Sequence, residues 1–191
     1  YHGHFDGMLV KAGSGLATFA IADSSGVAEG IANTTLVADL DSEESVKEFF
    51  ANHGDRIAAV IIEPMPANNG LLIQRKEFLQ FLRTITTDNG ALLIFDEVIS
   101  GFRLKFGGYG QLVGVQPDLV TLGKIIGGGM PIGAIVGPAD VMDLRSPLGP
   151  IYQAGTFSGN PLSLAAGIAP PQILRDDVSY APLAAPAPVF A

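Results

Sequence analysis

The chain has 191 residues, of which 48 % are hydrophobic and 16 % charged, and it contains no Cys. This composition excludes a disordered chain, a disulfide scaffold and a thiol nucleophile, and no segment has the roughly 18 apolar residues of a membrane helix. The 19 acidic residues against 11 basic ones give a formal net charge of −8, which argues against a nucleic-acid partner because such binding needs a basic face.

The two ends of the chain carry little patterning. Tyr1-His2-Gly3-His4 has neither the basic residues nor the apolar run of a secretory signal. Together with the lack of Cys, this predicts a cytoplasmic protein, with a plastid left open because a transit segment would precede these residues. Residues 181–191 are rich in Pro and Ala, which predicts an extended or unfolded segment.

The first predicted elements are a helix over 41–52 and a strand over 57–62. Asp41 is the expected N-cap of the helix, with Glu44 three residues later as in a capping box, and apolar residues follow at helical spacing. The run 57–62 is continuously apolar and stops at Glu63, which is typical of a strand buried on both faces.

A second helix and a second strand follow at once. Apolar residues at helical spacing predict a helix over 75–88, which Asn89-Gly90 ends, and the apolar run 91–95 predicts a buried strand. The order strand, helix, strand with a crossover of this length is a βαβ unit. The two strands are therefore expected to be parallel.

The last predicted elements are short strands over 118–122 and 132–136 and a helix over 161–175. The pair Pro170-Pro171 is expected to break that helix, since Pro lacks the N–H that the helix interior uses. The whole series of elements predicts an α/β layer fold.

Charged residues follow three of the predicted strands: Glu63, Asp96 and Lys124. Any one of them alone is more simply a solvated strand-end residue. In open α/β sheets, however, ligands bind at the carboxyl ends of the strands. An amine can form a Schiff base and a carboxylate can hold a protonated pyridine nitrogen, so the three together favour carbonyl chemistry at this edge.

Several common site motifs are missing or incomplete. The sequence contains no P-loop, no complete dinucleotide fingerprint and no nucleophile elbow. The HxHxD pattern that starts at His2 resembles the first ligand cluster of metallo-β-lactamase-like hydrolases, but Gly7 stands where a third His would follow and only His53 remains. The alternative is that Tyr1 and His2 form one wall of an organic-cofactor pocket, although a terminal Tyr-His pair taken alone is more simply ordinary packing or a frayed end.

Several separated sequence blocks combine these residues in a fixed order. They are Tyr1-His2-Gly3-His4, Glu63-Pro64, Phe95-Asp96-Glu97-Val98, Gly101-Phe102-Arg103, Thr121-Leu122-Gly123-Lys124, Ile125 to Pro131 and Tyr152 to Pro161. Their order and spacing over residues 1–169 resemble the class III aminotransferases, which depend on pyridoxal 5′-phosphate (PLP). Within that family, the pattern is most similar to the glutamate-1-semialdehyde 2,1-aminomutase branch.

The resemblance implies a PLP-dependent transferase of fold type I, with this chain as part of the large domain and its mostly parallel sheet. Lys124 matches the Schiff-base lysine of the family, and Asp96 matches the partner of the pyridinium nitrogen. Val98 matches the residue on one face of the cofactor ring, with Tyr1 and His2 on the other.

Further matches are implied around this centre. Glu63 matches a position near the ring hydroxyl, although capping of a strand end is an equal alternative for it. Asn68 lies where a loop of the family reaches toward the ring oxygen. Thr156 matches a residue that contacts the cofactor phosphate of the neighbouring subunit, so the resemblance implies a homodimer with an active site shared through Gly155-Thr156.

The resemblance also divides the chain and predicts a reaction. Residues 1–169 match part of the PLP-binding domain and 170–191 form a divergent tail, while the main phosphate-binding turn and the small C-terminal domain lie outside these residues. The expected reaction is amino-group transfer on a small amino-acid-type substrate, in the form that makes 5-aminolevulinate for tetrapyrroles. An intermolecular transaminase for a β- or ω-amino acid, and an inert fragment without the phosphate site, remain the alternatives.

Overall fold

A computed structural model describes residues 2–11, 21–22, 24–68, 70–175 and 180. The strands are β1 (Val10–Lys11), β2 (Ile21–Ala22), β3 (Ala59–Ile62), β4 (Leu92–Asp96), β5 (Leu119–Leu122) and β6 (Ala134–Val136). The helices are α1 (Glu29–Ala32), α2 (Glu43–His53), α3 (Lys76–Asp88), α4 (Tyr109–Val113), α5 (Ala139–Met142) and α6 (Pro161–Leu174), with 3₁₀ turns at Asp6–Met8, Gly54–Arg56 and Lys124–Gly127. Within this part of the chain, no helix is both long and apolar enough to cross a membrane.

The main sheet has four strands in the order β3-β4-β5-β6. β3, β4 and β5 run parallel, and β6 pairs antiparallel with β5. The βαβ prediction is confirmed, because α3 connects the parallel neighbours β3 and β4. β1 and β2 form a separate antiparallel ribbon.

The hydrophobic core lies between α3 and the sheet. The buried face of α3 carries Phe78, Leu79 and Leu82, and these pack with Leu93 and Phe95 of β4 in one cluster. Because strand side chains alternate between the two faces, Leu93 and Phe95 point to the helix side, and Asp96 belongs to the other side of the sheet. The core therefore places the strand-end carboxylate opposite the helix layer.

The prediction that the strand over 57–62 is buried on both faces is wrong. In β3, Ala59 is exposed, Val60 and Ile61 are half-buried, and only Ile62 is buried. The reason is the position of β3 at one end of the described sheet, where β4 is its only strand neighbour. An apolar run indicates a strand, but it does not reveal whether that strand is central or at an edge.

The predicted N-cap of α2 is also wrong by one residue. The hydroxyl of Ser42, and not the carboxylate of Asp41, accepts the N–H of Ser45, at 3.3 Å. Asp41 has a φ of 61° and binds Arg75, with both carboxylate oxygens 3.0 Å from Nε. The ion pair with a residue 34 positions away therefore takes Asp41 out of the cap.

Contrary to the prediction, the pair Pro170-Pro171 does not end α6, which continues to Leu174. The two missing N–H groups remove hydrogen bonds inside the helix. The helix, however, packs closely on the segment after Lys124: a Cβ added to Gly128 would lie 2.7 Å from the carbonyl oxygen of Ala166. This tertiary packing overrides the local preference.

Beyond α6, the structure describes one more residue. Tyr180 is buried, and its hydroxyl donates a hydrogen bond to the carbonyl oxygen of Phe102 at 3.0 Å. The division of the chain at 169/170 stays a prediction, and the predicted extended segment 181–191 lies outside the described residues.

Candidate active site

The carboxyl ends of the three parallel strands bring Glu63, Asp96 and Lys124 to one edge of the sheet. The register pairs Ile62 with Phe95, so Glu63, the next residue after β3, is level with Asp96 at the end of β4. Lys124 follows two residues after the end of β5. The parallel pairing thus assembles an amine and two carboxylates at the edge where ligands bind in such sheets.

Asp96 is a nearly buried, hydrogen-bonded carboxylate at this edge. It is 7 % exposed and makes three hydrogen bonds. Its Oδ1 accepts the N–H of Val98 at 3.1 Å and the hydroxyl of Thr121 at 3.2 Å. Its Oδ2 lies 2.7 Å from Nδ1 of His2. Because an ionised carboxylate only accepts, this Nδ1 carries the proton.

These contacts decide the charge of Asp96. Burial pushes the pKa of its carboxyl group up, but the hydrogen bonds from His2 and from the N–H of Val98, together with the hydroxyl of Thr121, outweigh burial. The pKa of Asp96 therefore lies below its ordinary value of 3.8, and the group is ionised at neutral pH. An ionised, nearly buried carboxylate can hold a cationic ligand group.

Nδ1 of His2 faces the carboxylate of Asp96. Among the described residues, no group of three or more His, Asp or Glu side chains is arranged to hold a metal ion. The HxHxD pattern therefore brings one of its residues, His2, to Asp96. This placement agrees with the alternative in which His2 belongs to the wall of a cofactor pocket.

Lys124 lies in an unusual backbone position at the end of β5. Its side chain is exposed and its φ is 47°, while Gly123 before it is extended with φ −169°. Val98 approaches from β4, since a Cβ added to Gly123 would lie 3.2 Å from its Cγ1. The segment after β4 and the lysine segment are thus in direct contact.

Within the ranges it describes, the structure does not join the other predicted site residues to the hydrogen-bonded group around Asp96 in the same way. Glu63 is half-buried at the strand edge, whereas Asn68 and Thr156 are exposed loop residues. Within the described part of the chain, neither of these two hydrogen-bonds the Asp96 group. Tyr1 lies outside the described residues, so its predicted place beside the cofactor is untested.

Thr121 and Glu97 make contacts around Asp96 that the sequence did not predict, although both lie in the motif blocks quoted above. Thr121 pairs with Asp96 in the parallel register, which puts its hydroxyl on the carboxylate. Glu97 is buried and binds the N-terminal amides of α4. The register of β4 and β5 is the signal that would have found Thr121, but no local pattern reveals the partners of Glu97.

Comparison with known proteins places this site in a family. Residues 1–180 match the family model of class-III aminotransferases. The chain belongs to the class-III aminotransferase family. The edge of the sheet that carries Asp96 and Lys124 lies within the matched residues.

The curated relatives of this chain include glutamate-1-semialdehyde 2,1-aminomutases. A glutamate-1-semialdehyde 2,1-aminomutase from Acidobacterium capsulatum is 57 % identical over 169 residues, which are 88 % of this chain and 39 % of the relative. One from Desulforudis audaxviator is 56 % identical over 180 residues, 94 % of this chain and 42 % of the relative. The chain spans about two fifths of the length of these curated relatives.

The fold of this chain is similar to those of solved transaminase structures. An omega-transaminase from Sphaerobacter thermophilus superposes with a TM-score of 0.83 at 37 % identity, over 91 % of this chain and 42 % of that structure. A transaminase with PLP bound gives 0.82 at 36 % identity, over 91 % and 41 %. The predicted fold type I, the family and PLP as the cofactor of that family are thereby confirmed.

Proposed function

We propose that this chain carries the lysine-bearing part of an enzyme that moves an amino group with PLP, and that its reaction is that of the glutamate-1-semialdehyde 2,1-aminomutases. The observation that carries the chemistry is the pair of adjacent strand ends with ionised Asp96 and exposed Lys124. The identity of 57 % to a curated aminomutase supports the choice of reaction.

The described residues suit this cofactor. Oδ1 of Asp96 accepts two donors and Oδ2 accepts one, so Oδ2 keeps a lone pair for one further donor such as a protonated ring nitrogen. When bound, PLP supplies an aldehyde that condenses with amines and a ring that accepts an electron pair. Nζ of Lys124 would hold the cofactor at its aldehyde carbon, and as a free amine Lys124 would take and return the substrate proton.

The remaining residues of the proposed set surround this pair. In this proposal Val98 would cover one face of the ring and His2 the other, and Tyr1 is the further residue that the family resemblance assigns to the face of His2. Glu63 and Asn68 lie toward the oxygen side of the ring. His2 has a second task, since its bond to Asp96 keeps the carboxylate in the ionised state that the ring nitrogen needs.

The proposed reaction is an isomerisation with a balanced outcome. The amino group of glutamate-1-semialdehyde leaves one carbon and an amino group is installed on the neighbouring aldehyde carbon, which yields 5-aminolevulinate. No external donor or acceptor is consumed. The product makes the enzyme one of tetrapyrrole biosynthesis.

A second candidate is an intermolecular transaminase for a β- or ω-amino acid. It is favoured by the close superposition on the omega-transaminase structure. Conversion of glutamate-1-semialdehyde without any added amino donor or keto acid distinguishes the two. The aminomutase completes that reaction, whereas the transaminase stops after one exchange of its cofactor amine.

Cofactor binding is tested first on the purified chain. Added PLP is expected to give an absorbance band at about 400–430 nm. Lys124→Ala should remove this band, whereas Lys105→Ala, at an exposed loop lysine, should keep it. A band of equal strength in Lys124→Ala would overturn the assignment of Lys124. No band in any variant would favour the inert fragment, and the assay is then repeated on the longer protein.

The assembly and the cellular location complete the proposal. We infer a homodimer in which the loop of Gly155-Thr156 reaches the cofactor phosphate of the neighbouring subunit. Exposed apolar side chains around this loop support an interface there. The location proposed for the enzyme is the cytoplasm, with a plastid as the alternative.

A further inference from the structure

Glu97 is a carboxylate beside Asp96 that the proposed reaction does not use. Its side chain is 1 % exposed, and the hydrogen-bond donors that reach it from the described residues are neutral. Oε2 accepts the hydroxyl of Ser100 at 3.3 Å and the N–H of Tyr109, and Oε1 accepts the N–H of Gly110 at 3.2 Å. Burying a carboxylate costs free energy unless such donors compensate for the lost water. A buried carboxylate with this many donors therefore has a specific task.

The side chain of Glu97 binds the N-terminus of α4. The N-cap residue of this helix is Gly108, which has no side chain to bind the first N–H groups. Glu97 binds the first two, from Tyr109 and Gly110, in its place. A Cβ on Gly108 would lie only 2.7 Å from Oε1 of Glu97, so the cap position is shaped around this carboxylate.

The backbone of Glu97 belongs to the turn that follows β4. The N–H of Glu97 donates to the carbonyl oxygen of Thr121 and its own carbonyl oxygen accepts the N–H of Gly101, both at 2.9 Å. This turn carries Val98, whose N–H donates to Asp96 at 3.1 Å. Any rotation of the turn would move that donor off the carboxylate.

We propose that Glu97 is a positioning residue of the cofactor site. Its carboxylate ties the turn 97–101 to the N-terminus of α4 and so holds the N–H of Val98 on Asp96. The inference rests on the proposed function in that Asp96 and Val98 are taken to contact the cofactor. Glu97 itself acts only through these two neighbours.

The variant that tests this is Glu97→Gln, with Asp118→Asn as the matched control. Gln places an NH₂ group against an N–H donor, so one amide of α4 loses its acceptor. Asp118 also tethers β4, because its Oδ2 accepts the N–H of Leu93 at 2.6 Å and Nη1 of Arg83 at 2.8 Å, but it does so at the opposite end of the strand. We expect both variants to lose stability, but only Glu97→Gln removes a contact of the turn 97–101.

The first readout is amide hydrogen exchange of Val98 in the cofactor-free chain, compared at equal free energy of unfolding. We expect exchange to accelerate about tenfold or more in Glu97→Gln and to follow global stability in Asp118→Asn. Unchanged protection of Val98 in folded Glu97→Gln, or equal acceleration in both variants, would overturn the proposal.

The second readout is the affinity for PLP. We expect the Kd to rise about tenfold in Glu97→Gln and less than about twofold in Asp118→Asn. Equal Kd values in the two variants would overturn the proposal. If the unaltered chain takes up no PLP, the Kd comparison is made on the longer protein, and the exchange of Val98 in this chain still decides the role of Glu97.

A gentler variant covers the case in which Glu97→Gln does not fold. Gly108→Ala keeps the carboxylate but presses a Cβ on Oε1, and the φ of −90° at Gly108 suits Ala. Gly30→Ala is its control, since a Cβ there meets nothing within 4 Å. Faster exchange of Val98 in Gly108→Ala alone supports the proposal, and no change in either variant contradicts it.

Discussion

Lys124 combines a reactive amine with a backbone that L-residues rarely adopt. Its φ of 47° lies in the left-handed region, directly after the extended Gly123. A non-glycine residue there is destabilising, and such strain is found at functional positions where the surroundings hold it in place. In Lys124 the strain sets the direction in which the side chain leaves the strand edge.

The strain at Lys124 predicts a difference between two inactive variants. Lys124→Gly relieves it and Lys124→Ala keeps it, so we expect the Gly variant to have a free energy of unfolding about 1 kcal/mol higher than the Ala variant. Urea unfolding of both chains measures this. An Ala variant as stable as the Gly variant would contradict a strained lysine.

Asp96 predicts a pH dependence of stability. Burial raises its pKa, but the bonds from His2 and Val98 outweigh burial, so the folded pKa is lower than the unfolded one. The contribution of Asp96 is therefore present above its ordinary value of 3.8 and is lost as the pH falls through the folded pKa. We expect the stability advantage over Asp96→Asn to shrink between about pH 5 and pH 3.

The same experiment has a second variant. His2→Ala removes the strongest contact that favours the ionised form, so the pH dependence attributed to Asp96 should weaken. Denaturant unfolding at several pH values measures it. A His2→Ala chain with the full pH dependence of the original would show that the bond at 2.7 Å does not set the charge of Asp96.

At the scale of elements, local patterns identified the helices and strands, and long-range contacts set their ends and burial. The predicted helix over 75–88 is observed as Lys76–Asp88, because its apolar face and the stop at Asn89-Gly90 are both local signals. The start of α2 is not a local matter. Its cap depends on which of two neighbouring polar residues Arg75 removes into an ion pair.

The cap of α2 can be tested by two single substitutions. Ser42→Ala is expected to cost about 1 kcal/mol of stability, since it removes the acceptor for the N–H of Ser45. Asp41→Ala is expected to cost less, because an exposed ion pair contributes only about 0–1 kcal/mol. Thermal unfolding compares the two, and a larger loss in Asp41→Ala would restore the cap that the sequence predicts.

At the scale of the whole molecule, exposed apolar side chains concentrate between β6 and α6. Tyr152 is 81 % and Phe157 80 % exposed, and Leu148 and Leu162 are exposed beside them in the sequence. A patch of exposed apolar side chains of this kind marks a surface that meets another chain or another segment. It flanks Thr156, which is the residue proposed to reach a second subunit.

This patch predicts self-association of the chain. We expect concentration-dependent oligomers in sedimentation experiments, which the double substitution of Tyr152→Ser and Phe157→Ser reduces without a loss of helix content. Phe5→Ser is the control, since Phe5 is exposed at a distant point of the sequence. Equal association of the double variant and the control would separate the patch from any subunit interface.

The sequence by itself determined the fold class and the family, and it predicted Asp96 and Lys124 as the two central residues of the site. Buried strands followed by Asp96 and Lys124 are local signals, and the parallel βαβ connection brings their ends to one edge by a general rule of chain topology. The motif blocks are specific enough to indicate the class-III family from residues alone, as the comparison bears out.

The tertiary structure decided what depends on partners that are distant in sequence. It put His2, 94 residues away, on Asp96 and thereby set the charge of that carboxylate. It buried Glu97 against α4, placed β3 at an edge, and held α6 together through Pro170-Pro171. The physical reason is the same in each case. Burial and hydrogen bonding depend on which two surfaces meet, and a local sequence pattern describes only one of those surfaces.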